Sequence, residues 1–442
     1  MLLVFLLIIE LILLFMVYEM NKADFVTPAT TSIVVFCVAT LFAAVGNALW
    51  KINFSYKTML IIISGLLAMA GGEGIARIRF RKKLRLRRNL EYRCEMDRIE
   101  IECWKSVLVI GVTVLLTMLY AVDILRKGAD LGNMGLGAIN AVKRAQNVST
   151  SPILRQGIKV VMASSFVNLY IFCTNIISGK RTKKDFIYLI PAVCACICSV
   201  FTAVRTEIFR ELVAFISIYY ILMQEKRGWK QGATKKILKK VVILMLVASL
   251  FFTGLRNIVK DSELATNKLY NTFEYLAYYA GTPIIVLGIK VDEGIENYGS
   301  DIWGGYTFYP TYGDLADFGM VDSSKVLSGS VNAMISRDAG ITANVDTILG
   351  SPLYDFGLVG MMIYIMIVYY IISAYYFKHI KYTEGSVRRN KYLVIYSFIY
   401  AIPAMSYYAN LAGRFITIYF FITWLLIKII YDFYFSYKIK LK

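Results

Sequence analysis

The chain has 442 residues, of which 58% are hydrophobic and only 18% charged, and its net charge is +19. A soluble chain of that length cannot hide so much apolar surface, so the composition excludes a soluble globular protein and calls for a polytopic membrane protein. The cations cluster in short stretches between apolar runs, where they meet anionic headgroups, and this distribution argues against nucleic acid as the partner.

The first apolar run, residues 2–18, has neither a basic leader nor a small-residue cleavage site and reads as a retained spanning helix. Runs at 29–50 and 58–76 follow. Next comes the densest charge block of the chain: Arg77, Arg79, Arg81, Lys82, Lys83, Arg85, Arg87, Arg88 and Arg93. That block fixes the cytoplasmic side. Further spans are expected at 104–122, 157–178, 186–203, 208–223, 241–255, 353–377, 392–408 and 411–431. Threading them from the basic block predicts an all-α polytopic protein of about eleven helices, within a range of about ten to twelve, with the N-terminus outside and the C-terminus inside.

Three regions result. Residues 1–256 hold the first eight helices, with a basic cytoplasmic loop at 77–103 and an outer loop at 123–156. Residues 257–351 form a large extracytoplasmic loop bearing short helices. Residues 352–442 hold the last three helices. The outer loop at 123–156 carries Arg126, Lys127, Lys143, Arg144 and Arg155 against the positive-inside bias. Its segment 138–145 is expected to be a short surface helix, either touching headgroups or forming a basic rim for an anionic lipid-linked substrate.

Charges at helix ends need a partner or a use. Arg205, Glu207, Arg210 and Glu211 crowd the outer end of two apolar helices. They form either a buried ion network or, through Arg205 and Arg210, a bidentate grip on phosphate oxygens. Arg414, at the outer end of the last helix, poses the same choice. The long loop is acidic although the chain is basic, and it is dense in glycine and aromatics over Trp303-Gly304-Gly305-Tyr306-Thr307-Phe308-Tyr309-Pro310. Flat rings with nearby carboxylates suit carbohydrate, which singles out Trp303, Tyr306, Tyr309 and Asp314; an ordinary packed loop core is the plain alternative. Residues 271–291 read as a half-buried or re-entrant helix interrupted by Glu274 and broken at Gly281-Thr282-Pro283. Asp346 and Asp355 stand where the loop re-enters the membrane.

The run Cys194-Ala195-Cys196-Ile197-Cys198 lies in an apolar helix with no histidine nearby, so packing is preferred over metal binding. No Walker loop, His/Cys metal cluster or Ser-His-Asp set can be assembled. His379, the single histidine, falls on the cytoplasmic side, which leaves outer-face chemistry to carboxylates and arginines.

In its helix count, its long outer loop and the local stretches Arg205-Thr206, Gly305 through Pro310 and Thr347 through Gly357 followed by Gly360, the chain resembles the O-antigen and capsule repeat-unit polymerases. The resemblance covers nearly the whole chain. It implies a GT-C-like glycosyltransferase of the bacterial cytoplasmic membrane that works at the outer face without metal or cofactor. Donor and acceptor would be undecaprenyl-pyrophosphate-linked oligosaccharides, and a chain-length regulator is a possible partner. It further implies that Arg205 and Arg414 bind diphosphate, with Arg210 and Arg337 as weaker candidates, and that Asp346, or next Glu207, is the base. The long loop carries only one arginine, Arg337, which shifts phosphate binding to the helix ends. A glycan ligase and a repeat-unit flippase are the rival readings.

Overall fold

The computed structural model describes residues 1–52, 54–87, 96–135, 137–145, 151–180, 182–202, 206–229, 272–327, 333–336, 341–381 and 387–435. In chain order the elements are α1 Leu2–Met20, α2 Pro28–Trp50, α3 Tyr56–Arg87, α4 Cys103–Asp130, α5 Gly137–Arg144, α6 Pro152–Ser178, α7 Ile190–Phe201, α8 Thr206–Lys226, α9 Thr272–Glu293 and α10 Tyr309–Asp317. Strands β1 Ala333–Ser336 and β2 Ile341–Ala343 follow, then α11 Gly350–Tyr375, α12 Val387–Ile399, α13 Ala401–Ala404 and α14 Ile418–Phe435.

Among the described residues, 8 segments are long and apolar enough to cross a membrane: Leu2–Met20, Pro28–Trp50, Tyr56–Phe80, Cys103–Asp130, Pro152–Ser178, Lys183–Phe201, Gly350–Lys381 and Ile418–Phe435. The chain is thus a multi-pass helical membrane protein. Helix α1 shows why burial alone would mislead. Val4, Phe5, Ile8, Leu11, Ile12 and Phe15 are exposed on its surface, as lipid-facing side chains are. The expected span at 241–255 lies outside the described residues.

The chain forms two compact units that interleave in sequence. The first comprises Met1–Asn89, Glu263–Tyr382 and Ala401–Phe420. Its helices pack through glycine. A β-carbon built on Gly72 of α3 would stand 2.3 Å from the Met366 carbonyl oxygen of α11, and one on Gly281 of α9 only 2.5 Å from the Ala43 backbone nitrogen of α2. Small residues of this kind let backbones touch where lipid supplies no hydrophobic drive. Away from these contacts, the buried Glu73 carboxylate accepts from Asn21 and, at 2.7 Å, from the Ala29 N–H. Asp24 accepts from Tyr376 at 2.8 Å and from Lys381 at 2.6 Å.

The second unit comprises Leu90–Ser262, Thr383–Tyr400 and Phe421–Lys442. Its core gathers Tyr120, Ile124, Ile139, Val142, Val161, Met162, Cys194, Ala195 and Cys198. Cys194 and Cys198, one turn apart on α7, are small side chains in that core. The predicted surface helix at 138–145 is α5, whose Ala138 lies so close to Gly128 of α4 that a β-carbon there would stand 2.1 Å from that of Ala138. Helix α14 joins through Trp104–Phe433 ring contact at 5.5 Å and a Tyr434 hydroxyl bond to Asn168 at 3.3 Å.

Several local expectations change. The basic block does not begin a loop at residue 77, because α3 continues helically to Arg87. The segment 271–291 is not broken at Pro283. Helix α9 runs through it, buries Ile284, Ile285, Val286 and Leu287, and packs on α2 at Gly281. The run 392–408 is two pieces, α12 and the short α13, and 411–431 opens with a 3-10 turn at Ala412–Ile416 before α14. The large loop also holds an antiparallel hairpin that pairs Ala333 with Ala343 and Met334 with Thr342, with an irregularity before the Ser336–Ile341 pair. An all-α description misses it.

Candidate functional site

Helix α11 changes direction soon after it starts. Gly357 has φ 66 and ψ −174, non-helical values that a glycine reaches far more easily than other residues. The short segment before it carries Tyr354, Asp355 and Phe356. Just upstream, Asp346 is partly buried against the helix start. Its carboxylate accepts from its neighbour's Thr347 N–H at 2.6 Å and from the Tyr354 hydroxyl. A β-carbon on Gly350 would stand 1.9 Å from Asp346 Oδ2, so only glycine leaves the carboxylate its place. Thr347 turns inward, and its hydroxyl accepts from the Leu349 N–H at 3.2 Å, while the Ile348 N–H bonds to the Ser406 carbonyl at 2.8 Å.

Burial pushes the Asp346 carboxyl up from its ordinary value of 3.8 to about 7. The Tyr354 and Thr347 hydrogen bonds and the positive Lys290 work against that rise. Lys290 itself bonds to Glu293 at 3.0 Å and to the Tyr298 hydroxyl at 2.8 Å. The Tyr298 ring lies 5.1 Å from Tyr354 and the Tyr306 ring 5.7 Å from it. A carboxyl that titrates near neutrality beside an aromatic wall can take a proton from a hydroxyl held there.

Asp355 anchors the aromatic stretch. Its two carboxylate oxygens accept from the consecutive backbone N–H groups of Tyr306, at 3.2 Å, and Thr307, at 2.6 Å. Trp303 is 75% exposed, with Phe356 at 5.0 Å and Phe308 stacked at 6.0 Å behind it. Its carbonyl accepts from the Tyr312 hydroxyl at 2.6 Å. An exposed indole braced by two rings has the geometry to stack on a flat apolar face such as the C–H face of a sugar.

The 3-10 turn carrying Arg414 packs on the same stretch. A β-carbon on Gly413 would stand 2.1 Å from the Thr307 carbonyl oxygen. Arg414 reaches the Tyr309 hydroxyl at 3.4 Å, and Asp314 accepts from the Ile418 N–H at 2.8 Å. Asn410 Oδ1 receives the Tyr364 hydroxyl and the Gly413 N–H, both at 3.4 Å.

A family model described as "Putative O-antigen polymerase" matches residues 129–406, well over half of the chain. The chain belongs to this O-antigen polymerase family. No curated protein and no solved structure matches it. Membership implies a glycosyltransferase-like activity on lipid-linked oligosaccharides in a membrane. The matched stretch includes Glu207, Arg210, the aromatic residues 303–309, Asp346 and Asp355, and ends short of Asn410 and Arg414.

The first unit therefore brings together Asp346, Trp303, Tyr306, Tyr309, Asp314 and Arg414. Glu207 and Arg210 belong to the second unit. There Arg210 pairs with Glu207 at 2.9 Å and lies 5.8 Å from the Phe398 ring, an arrangement that holds α8 to α12. Arg205 and Arg337 lie outside the described residues. Among the described residues no group of His, Cys, Asp and Glu could hold a metal ion. Sequence reasoning assigned no role to Lys290, Tyr298 or Tyr354, and gave Asp355 only a place at the membrane boundary. A lone lysine closing an apolar run is the signal that could have found Lys290.

Proposed function

We propose that this protein polymerises polyprenyl-pyrophosphate-linked oligosaccharide repeat units at the outer face of the bacterial cytoplasmic membrane, building an O-antigen, capsule or exopolysaccharide. The observation that carries the reading is the Asp346 carboxyl, raised to about 7 at the head of α11 and next to the Tyr354–Tyr306 wall, in a chain of the O-antigen polymerase family. In the proposed reaction Asp346 takes the proton from an acceptor sugar hydroxyl. The freed oxygen attacks the anomeric carbon of the donor glycan, and the bond to the lipid diphosphate breaks. Arg414 steadies the charge that develops on the departing diphosphate. Trp303, Tyr306, Tyr309 and Asp314 hold the sugars.

Metal-independent transfer, a GT-C-like architecture and the outer placement of residues 257–351 between the helical regions 1–256 and 352–442 belong to the same proposal. Support for the phosphate role of Arg414 comes from its guanidinium, whose contact with Tyr309 is long and leaves donors for a ligand. The ion pair of Arg210 with Glu207 favours a scaffold role for that pair, so the weight for the base falls on Asp346.

Deleting the gene should leave single repeat units on lipid or surface acceptor, with no long chains on a gel of surface glycan. Asp346→Asn, expressed at the normal level, should give the same profile. Full-length ladders in the deletion strain would overturn polymerisation. Loss of all surface glycan with lipid intermediates retained inside would point to translocation instead.

A further inference from the structure

Lys290 lies in the last turn of α9, where a lysine ordinarily reaches out to water and to the helix carbonyls. Here it is only 5% exposed, whereas the side chain of its ion-pair partner Glu293 is 48% exposed. The positive charge is covered and the negative one is not. An exposed pair contributes little to stability, and covering one of its two charges costs more than the pair contributes. The burial of this ammonium therefore needs a reason beyond the ion pair.

The cover is built by the chain that follows. Gly294 has φ 97, in the left-handed region that favours glycine, and it turns the backbone out of α9 into a 3-10 turn at Ile295–Tyr298. That turn lays the Tyr298 ring over Lys290, with the ammonium 4.8 Å from the ring centroid. The Tyr298 hydroxyl is then committed in both directions. It accepts from Lys290 Nζ at 2.8 Å and donates to Glu293 Oε2, which also accepts from Lys290 at 3.0 Å. With its tip fixed, the ring packs on Tyr354 at 5.1 Å between centroids, and Tyr354 in turn gives its hydroxyl to Asp346 Oδ2. Residues 290–298 and 346–354 thus form one chain of contacts from ammonium to carboxylate.

Neutral groups make up most of the surroundings of Asp346. Tyr354 of α11 and the Thr347 N–H donate to it, and the Tyr298 and Tyr306 rings stand beside Tyr354. The other carboxylate on this side, Asp355, is engaged by the Tyr306 and Thr307 N–H groups. Burial raises the Asp346 carboxyl, and among the described residues that act against that rise Lys290 is the cation. We propose that Lys290 is a positioning residue for Asp346: it locks Tyr298 and thereby the Tyr354 ring that aims the carboxylate, and its charge keeps that carboxylate ready to take a proton. The proposal rests on the reading of Asp346 as the base. Lys290 acts through its neighbours, without touching the sugar or the diphosphate.

The test is the pH profile of polymerisation by the purified full chain in nanodiscs, with the lipid-linked repeat unit extracted from the deletion strain as substrate. Lys290→Met should move the acid limb to higher pH, so that its loss in kcat against the parent is about tenfold larger at about pH 6 than at about pH 9. Lys290→Arg keeps the charge and should put the limb back where the parent has it. Glu293→Gln removes a competing negative charge and should move the limb to lower pH. Tyr298→Leu breaks the contact with Tyr354 and should lower kcat on the alkaline plateau about tenfold, with KM within about twofold of the parent. A loss of equal size at every pH in Lys290→Met, or an arginine variant that behaves like it, overturns the role of the charge. A limb that moves up in Glu293→Gln shows that only the ion pair matters and overturns the proposal too. An unchanged plateau in Tyr298→Leu removes the lock. If Asp346→Asn keeps the parent's rate and acid limb, Asp346 is not the base and the proposal falls with it, while long product chains leave polymerisation standing. If the parent builds no chains from the repeat unit, both readings fall.

Discussion

Asp355→Ala removes both acceptors that fix the aromatic platform. The carboxylate holds the Thr307 N–H at 2.6 Å and the Tyr306 N–H at 3.2 Å. A hydrogen bond to a charged group contributes about 1.5–3 kcal/mol, and the longer of the two falls at the low end, so together they hold the stretch by about 3–4 kcal/mol. On the scale of a factor of ten per 1.4 kcal/mol, the open form of residues 303–309 gains about two to three powers of ten in population. Hydrogen exchange followed by mass spectrometry on the purified protein reads this directly. Amides of the 303–309 peptide should exchange about a hundredfold faster or more, whereas α2 and α3 should be unchanged. Asp355→Asn keeps one acceptor oxygen and should fall between the two. In cells the alanine variant should shorten the glycan ladder. Unchanged exchange at Tyr306 and Thr307 would show that the platform is held by its ring contacts with Phe356 and Tyr364 and not by the carboxylate.

Gly350→Ala forces a methyl group to within 1.9 Å of Asp346 Oδ2, so the carboxylate must leave Tyr354; polymer length should collapse while the protein remains folded, and a normal ladder refutes the placement. Because burial raises the Asp346 carboxyl to about 7, its charged form grows as pH rises through that value, and in vitro polymerisation should climb with it. The same shift has the opposite effect on stability: the folded state holds the proton more tightly than the unfolded chain, so this contribution is lost between about pH 4 and 7. Tyr354→Phe removes a donor that favours the charged form, and the acid limb of the rate profile should move to higher pH; an unmoved limb counts against Asp346 as base. Gly281→Val brings a β-carbon to 2.5 Å from the Ala43 backbone nitrogen, and since neither backbone can yield, the cost should be about 1–3 kcal/mol or more, seen as a lower thermal midpoint in detergent.

What the sequence by itself determined is that the chain is a multi-pass protein built on spanning helices. In lipid every backbone N–H and C=O must be satisfied within its own helix, so a span has to be a continuous apolar run, and runs such as those in α1, α2, α4 and α6 are legible one at a time. The acidic, aromatic character of residues 257–351 and the outlying position of Asp346 and Arg414 were legible for the same reason, as departures from an apolar background. Tertiary structure decided the rest. Pro283 looked like a break, but the close fit of Gly281 on α2 carries α9 through it, and that fit depends on residues more than two hundred positions away. Asp355 looked like a boundary charge, but its partners are two amides nearly fifty residues upstream. Thr307, Asn410 and Gly413 have no local pattern to distinguish them from any other polar or small residue. Hydrogen bonds between distant segments leave no periodicity in the chain, so only the folded structure shows which carboxylate holds the aromatic stretch.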